Sequence, residues 1–226
     1  LTPLFANVVK RLKLGHEDIS AEIKQLQGEF LKISLPMDKL KQVAQAMDKF
    51  HISKAIFRSS TNCEDLEEFN GAGLYKSTVV EGNSDLLQIE KAIISIWSSL
   101  WTKRAAQERQ AFNIASSHVC MAILVQPFLD AKTSGILANG VCVSFNPFLR
   151  SKVGIFVTAL AGTDTRVTEH TIGLLPEQVM IHMSRIHGAV DVELMCSATT
   201  GNVIITQEHA AELALLIPKI HKKLLH

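Results

Sequence analysis

The stretch FRSSTNCEDLEEFNGAGLY, residues 57–75, is the densest cluster of small and polar side chains in the chain. The apolar residues 55–57 predict a short strand, and the polar residues after Phe57 predict a loop at its end. Arg58 then lies at the rim of a loop that carries several hydroxyl groups. An arginine fork can contact two phosphate oxygens at once, so the pattern is typical of phosphate binding. On local chemistry alone, a plain turn in which Arg58 pairs with an acidic neighbour is the alternative.

Two further features of this stretch leave several roles open. The acidic pair Glu64 and Asp65 could hold Arg58, cap a helix or bind Mg2+. The two glycines in 70–73 either let the backbone approach a ligand closely or simply form a turn.

The composition is that of a folded protein with an ordinary charge balance. The 226 residues are 47% hydrophobic and 20% charged, which excludes disordered, collagen-like and coiled-coil classes. The net charge of +1 indicates neither a nucleic-acid nor a membrane-surface partner. The four cysteines form no CxxC pair and lie far apart, which is typical of a reducing compartment, so we expect a cytoplasmic protein.

Hydrophobic spacing divides the chain into helices followed by strands. Apolar stripes predict helices over 19–33, from Pro36 to Phe50, over 86–110, and after an N-cap at Thr206. Apolar runs predict strands over 121–126, 136–145, 154–161 and 190–194, the first of them buried. This order indicates an α+β fold. We expect a helical segment over 1–54 and a second region over 55–226, or one continuous domain.

Three stretches in order resemble one known family. Residues 58–66 are similar to its RSS-x-x-x-EDL signature, and 72–75 match the AGLY of its glucan dikinase branch. Residues 96–105 resemble its helix motif VWASLW-x-x-RA, and 121–126, with the later SGI and NP, resemble MAVLVQ, SGV and NP. The family is that of pyruvate phosphate dikinase, phosphoenolpyruvate synthase and the glucan, water dikinases, and the resemblance covers about residues 35–165.

The resemblance implies an ATP-grasp-like domain that binds nucleotide between two α+β subdomains and requires magnesium. It maps phosphate contacts onto Arg58, also implied as the catalytic residue. It maps further ATP binding onto the neighbouring loop and onto the adenine-side hinge at the end of the 121–126 strand. The implied ATP-binding residues are Arg58, Ser59, Ser60, Gly73, Gln126, Pro127, Phe128 and Leu129. It further implies a partner, a separate domain whose histidine accepts the phosphoryl group.

The chain departs from the family pattern at both ends. The glycine-rich segment with a phosphate-binding lysine is not recognisable in 1–34, so we expect an incomplete version of the domain. The closing DIEW and LQARP strands align in two ways. In one, Asp191 and Glu193 are the metal-binding pair and 204–207 form the next strand. In the other, 206–225 form the helix that precedes DIEW, and Asp191 and Glu193 are surface residues of an edge strand.

Two functional hypotheses follow. The first is the ATP-binding domain of a dikinase-type phosphotransferase, whose final acceptor is pyruvate, a glucan or an antibiotic. The alternative is a degenerate, non-catalytic domain of the same fold that acts as a binding or regulatory module.

Overall fold

The computed structural model divides the chain into two compact units, Leu1–Phe128 and Leu129–His226. The structure describes residues 2–13, 19–63, 65–66, 69–71, 73–82, 85–130, 135, 138–145, 147, 154–162, 167, 173–183 and 190–224. Both units combine helices with antiparallel sheet, which confirms the α+β class. None of the helices in these described parts combines the length and apolar character needed to cross a bilayer.

The first unit begins with three helices. They are α1 (Thr2–Lys13), α2 (Ser20–Phe30) and α3 (Met37–Lys49). The predicted helices at 19–33 and 36–50 are confirmed, because their apolar stripes bury Ile23, Leu26, Leu40 and Met47. Helix α1 lies in the segment predicted to be helical, 1–54, but was not predicted as a separate helix, although Val8, Val9 and Leu12 are buried on one of its faces.

The single helix predicted over 86–110 is wrong. The structure has two helices there, α4 (Leu86–Ser99) and α5 (Lys103–Ala111). Thr102 lies between them in an extended conformation, and its hydroxyl accepts a hydrogen bond from the Ala105 amide at 3.1 Å. This is an N-cap, so Thr102 begins a new helix where the hydrophobic pattern alone runs through.

Strands β1 (Lys54–Thr61), β4 (Ser77–Glu81) and β5 (Met121–Pro127) form a three-stranded antiparallel sheet with β1 in the centre. Two short strands, β2 (Asp65–Leu66) and β3 (Phe69–Asn70), pair with each other. The loop predicted to begin at Arg58 is corrected, because β1 continues to Thr61 along its ladder with β5. Strand β5 is half-exposed rather than buried, since it lies at the edge of the sheet.

One face of this sheet packs against α3 and α4. Phe57, with only 1% of its surface exposed, lies in a cluster with Val80, Leu40, Ile89 and Ile93. Because side chains alternate across a strand, burial of Phe57 directs its neighbour Arg58 to the other face. The core of the first unit therefore determines where Arg58 lies.

In the residues that the structure describes, the second unit has a four-stranded antiparallel sheet and one helix. Its strands are β6 (Ala138–Val143), β7 (Ile155–Ala161), β8 (Glu177–Met183) and β9 (Val190–Cys196), in that spatial order. Helix α6 (Gln207–Leu224) packs Ala210 and Ala214 on Val179 and Ile181 of the sheet. Strand β8 was not predicted, and residues 136–137 of the predicted 136–145 strand lie outside the described residues.

The N-cap predicted at Thr206 is confirmed, since its hydroxyl accepts a hydrogen bond from the His209 amide at 3.2 Å. The segment before it is held by a buried carboxylate. Glu177, 2% exposed, accepts hydrogen bonds from the amides of Ile204 and Ile205 at 3.0 and 2.7 Å. Residues 204–206 are not a strand, and the helix begins at Gln207, as the second alignment of this region requires.

Candidate functional site

Arg58 lies in the middle of the central strand β1 on the solvent-exposed face of the sheet. In the strand register, Arg58 is opposite Ser77 of β4 and Leu124 of β5. Ser60 shares that face two residues further along and is also exposed, whereas Ser59 points to the opposite face and is half-buried. The structure therefore brings together Arg58 and Ser60, and it separates Ser59 from them.

Gln126 lies on the same exposed face. It pairs with Ile56 of β1, two residue pairs along from the Arg58–Leu124 pair, and therefore shares its face. The guanidinium and hydroxyl of β1 and the carboxamide of Gln126 thus stand on adjacent strands, on a surface that offers both donors and acceptors.

The residues after Gln126 are held against the start of β1. The Phe128 amide donates to the Lys54 carbonyl at 2.8 Å, and the Lys54 ammonium lies 4.8 Å from the centre of the Phe128 ring. Pro127 is the last residue of β5, and Leu129, which is exposed, is the first residue of the second unit.

Gly73 lies in a tight turn that begins at Gly71. The Leu74 amide donates to the Gly71 carbonyl at 3.0 Å, and Gly73 has a φ of +77°, a conformation that a residue with a Cβ adopts only with strain. The turn is exposed at Gly73 and delivers Tyr75 into the core. Glu64 and Ala72 of the same predicted stretch lie outside the described residues.

Tyr75 belongs to a buried polar network that reaches β1. The Tyr75 hydroxyl lies 3.5 Å from Cys63 Sγ, which in turn lies 3.1 Å from Thr61 Oγ1. Burial raises the pKa of Tyr75 to about 12, and the Cys63 contact adds to the rise, whereas the nearby Arg109 acts against it. The network joins the Gly73 turn to the end of the strand that carries Arg58.

Arg109 is the residue that sequence reasoning misplaced. It lies near the end of the single helix predicted over 86–110, and the structure buries it fully. Its Nε donates to Ser116 Oγ at 3.3 Å and its guanidinium lies 5.3 Å from the Trp101 ring. Its two terminal nitrogens find no hydrogen-bond partner among the residues that the structure describes. The correction has a physical cause, because α5 is a separate helix that packs Arg109 inward.

Asn62, just after β1, fixes the entry into β5. Its side-chain amide donates to the His118 carbonyl at 2.9 Å, and its side-chain carbonyl accepts from the Cys120 amide, also at 2.9 Å. The carboxamide therefore acts as one more rung of the β1–β5 ladder.

Asp191 and Glu193 lie on one face of β9, the edge strand of the second sheet. Both are exposed, and Glu193 Oε2 lies 3.0 Å from His182 Nε2 in β8. No group of three or more metal-binding side chains occurs within the described part of the chain. The pair therefore offers at most two carboxylates, one of which already contacts an imidazole.

Comparison with known proteins identifies the family of the chain. The family model "Pyruvate phosphate dikinase, AMP/ATP-binding domain" matches residues 4–211. A phosphoenolpyruvate synthase from Aeropyrum pernix is 26% identical over 128 residues, 54% of this chain and 15% of the relative. A rifampicin phosphotransferase from Bacillus cereus is 30% identical over 143 residues, 62% and 16%. A probable phosphoenolpyruvate synthase from Pyrococcus horikoshii is 27% identical over 172 residues, 76% and 18%.

The chain thus spans between 15% and 18% of the length of these three relatives. The predicted resemblance to the pyruvate phosphate dikinase and phosphoenolpyruvate synthase family is confirmed.

Proposed function

The chain belongs to the pyruvate phosphate dikinase AMP/ATP-binding domain family, and from this premise we propose that it binds ATP for transfer of a phosphoryl group to a histidine on a separate domain. Two of the relatives in this family are a phosphoenolpyruvate synthase and a rifampicin phosphotransferase, so pyruvate and an antibiotic are both candidate final acceptors. A glucan is the third, on the resemblance of residues 72–75. The family match supports this function over a degenerate regulatory module.

The observation that carries the proposal is the placement of Arg58 on the open face of the β4–β1–β5 sheet. The backbone of Arg58 is fixed by strand pairing on both sides, while its guanidinium fork remains exposed to a ligand. Ser60 on the same face adds a hydroxyl within reach of the same ligand. In this role Arg58 stabilises negative charge on the phosphates, above all the charge that develops during transfer.

The remaining ATP contacts are proposed from the same geometry. Gln126 supplies a carboxamide for the adenine side, and Pro127, Phe128 and Leu129 form the hinge that follows it. The hydrogen bond from the Phe128 amide to the Lys54 carbonyl fixes the start of that hinge. Gly73 lies in an exposed turn, and no atom of the described residues lies within 4 Å of the position that a Cβ would take there. Ser59, on the other face of β1, acts through the position of the strand. The proposed region is 55–226, with an ATP-grasp-like fold.

Magnesium would neutralise charge on the transferring phosphate. Mg2+ is commonly bound through one or two carboxylates together with phosphate oxygens, and Asp191 and Glu193 share one strand face, so this pair can supply that minimum. The start of α6 at Gln207 supports the other alignment, in which neither residue holds the metal. The two alternatives differ in whether Asp191→Asn and Glu193→Gln weaken the effect of Mg2+ on ATP binding.

Calorimetric titration with ATP, with and without Mg2+, tests the proposal. We expect Arg58→Ala to weaken binding about 10- to 100-fold, equivalent to about 1.4–2.7 kcal/mol, because a charge-assisted pair of hydrogen bonds is lost. Arg58→Lys keeps the positive charge but lacks the guanidinium fork, so its affinity for ATP should lie between those of wild type and Arg58→Ala.

Lys41→Ala is the matched control, since it removes one positive charge from the exposed side of α3. Circular dichroism verifies that each variant is folded. Binding that is equally strong in wild type and Arg58→Ala would contradict the phosphate role of Arg58. Absence of ATP binding by the folded wild-type chain would contradict the proposal for this chain as a whole.

A further inference from the structure

Helix α6 has two different faces. One packs Ala210 and Ala214 against the second sheet, with Leu213 and Ile217 beside them. The other carries a stripe at spacings of four, four, three and four residues, which places its members on one side of an α-helix. The stripe consists of Glu208, Glu212, Leu216, Lys219 and Lys223, all of them exposed.

The charges of this stripe are segregated rather than paired. Glu208 and Glu212 are four residues apart, as are Lys219 and Lys223, and like charges at this spacing mildly destabilise a helix. No ion pair joins any of the four to another residue within the described parts of the chain. Along the helix the stripe therefore has two acidic residues, a leucine and two basic residues, and no ion pair neutralises these charges within the described residues.

The helix dipole explains only part of this order. It favours acids in the first turn and bases in the last turn, but its effect fades within those turns and does not account for Glu212 or Lys219. Nor does it account for the apolar side chains on this side of α6. Leu215, Leu216 and Ile220 are 66%, 51% and 42% exposed, and Val203 beside the helix is 71% exposed.

We propose that this face of α6 pairs antiparallel with α6 of a second copy of the chain. A two-fold axis beside Leu216 places Glu212 opposite the partner's Lys219 and Glu208 opposite the partner's Lys223. The same symmetry repeats both pairs, so four ion pairs surround a leucine contact. An antiparallel copy is the simplest surface that satisfies a stripe whose charge reverses about its own centre.

The adjoining surface fits apolar side chains from the partner. A hollow of about 580 Å3 lies beside the stripe, lined by Val203, Leu213 and Leu216 among others. An 18-residue helix is only about 27 Å long at 1.5 Å per residue, so the paired area is smaller than that of a standard stable interface. We therefore expect a weak dimer, with a dissociation constant on the order of 10–100 μM.

Analytical ultracentrifugation of the 226-residue chain at increasing concentration tests the pairing. Wild type should shift from monomer to dimer and dissociate more in high salt, because the proposed pairs are exposed. Leu216→Lys should weaken the dimer at least tenfold. Lys103→Glu in α5 is the matched control, an exposed charge reversal outside the stripe that should leave the association unchanged.

Two charge reversals distinguish antiparallel self-pairing from any other association. Glu212→Lys and Lys219→Glu should each weaken homodimers, since each places like charges opposite each other. A mixture of the two variants should associate as well as wild type, because each Lys or Glu then faces its opposite in the other chain. The double variant Glu212→Lys/Lys219→Glu should also dimerise.

A wild-type chain that stays monomeric up to about 1 mM would overturn the proposal, since such a face then belongs to a different partner. A dimer that both single reversals leave intact would overturn it as well, and so would a mixture that fails to recover. Circular dichroism of each variant separates loss of pairing from loss of folding.

Discussion

Strands β1 and β9 both carry proposed site residues, but the sheets hold them differently. Strand β1 is central, and its register is fixed by β4 on one side and β5 on the other. Strand β9 is an edge strand that pairs, among the described residues, with β8 alone, with a register irregularity near Gln178. A side chain on β1 is therefore positioned by two ladders and a buried core, whereas Asp191 and Glu193 depend on one ladder. Two residues that are both implied by the family resemblance can therefore be held in position with different precision.

Replacement of Phe57 by alanine should have the largest effect on this contrast. Phe57 is fully enclosed beside Arg58, so Phe57→Ala should destabilise the first unit by about 3–5 kcal/mol. Val192→Ala removes a half-buried side chain of β9 and should cost about 1 kcal/mol. Urea unfolding measures both. Tryptophan fluorescence follows the first unit alone, because Trp97 and Trp101 are the only tryptophans. Equal losses would contradict the comparison.

The buried Glu177 should be the second most sensitive position. Glu177→Ala removes the acceptor of two backbone amides, and we expect a loss of about 2–4 kcal/mol in the second unit. Glu177→Gln keeps one acceptor oxygen and should lose less. Far-UV circular dichroism during urea unfolding measures the loss, while the fluorescence transition of the first unit should not move. A coincident shift of both transitions would show that the two units unfold together.

Alkaline pH should destabilise the first unit through the ionisation of Tyr75. The pKa of Tyr75 is raised in the folded state to about 12, so its stabilising contribution is complete below pH 10 and is lost as the pH rises through 12. Between pH 9 and 11 the first unit should lose about 1 kcal/mol. Tyr75→Phe should remove this dependence. Tyr75 is the only tyrosine, so its tyrosinate absorbance reports the titration directly; ionisation near pH 10 in the folded protein would contradict the prediction.

The smallest effect is expected at the His182–Glu193 contact. Both side chains are partly exposed near the sheet edge, and exposed ion pairs contribute about 0–1 kcal/mol. Glu193→Gln should therefore change the free energy of unfolding by less than about 0.5 kcal/mol at neutral pH. A loss above about 2 kcal/mol would show that this edge is as tightly held as β1.

The sequence predicted the elements whose burial is periodic. Helices α2, α3 and α6 each show one apolar stripe, and Thr206 carries a recognisable N-cap signal. Strand β8 was missed because QVMIHM mixes apolar and polar residues without strict alternation. The extension of β1 through Thr61 was missed because polar residues prefer loops, and only pairing with β5, which is distant in sequence, overrides that preference.

The candidate site was predictable in kind and less so in geometry. The resemblance pointed to Arg58, Ser60 and Gln126, which the structure places on one exposed face. That Ser59 lies on the opposite face follows from the strand, which the sequence interpretation had replaced by a loop. The burial of Arg109 was missed because the break at Thr102 turns α5 independently of α4. Thr102, a residue type that often caps a helix, was the signal in the sequence for this break.

The carboxamide of Asn62 is a group whose slow deamidation would change the structure over time. Spontaneous deamidation would turn its nitrogen donor into a second carboxylate oxygen, which would then face the His118 carbonyl. One rung would be replaced by repulsion between two oxygens, at the entry to β5. Ageing of stored protein should consequently loosen the strand that carries Gln126 before it harms the core, and Asn62→Asp would reproduce the aged form in a fresh sample.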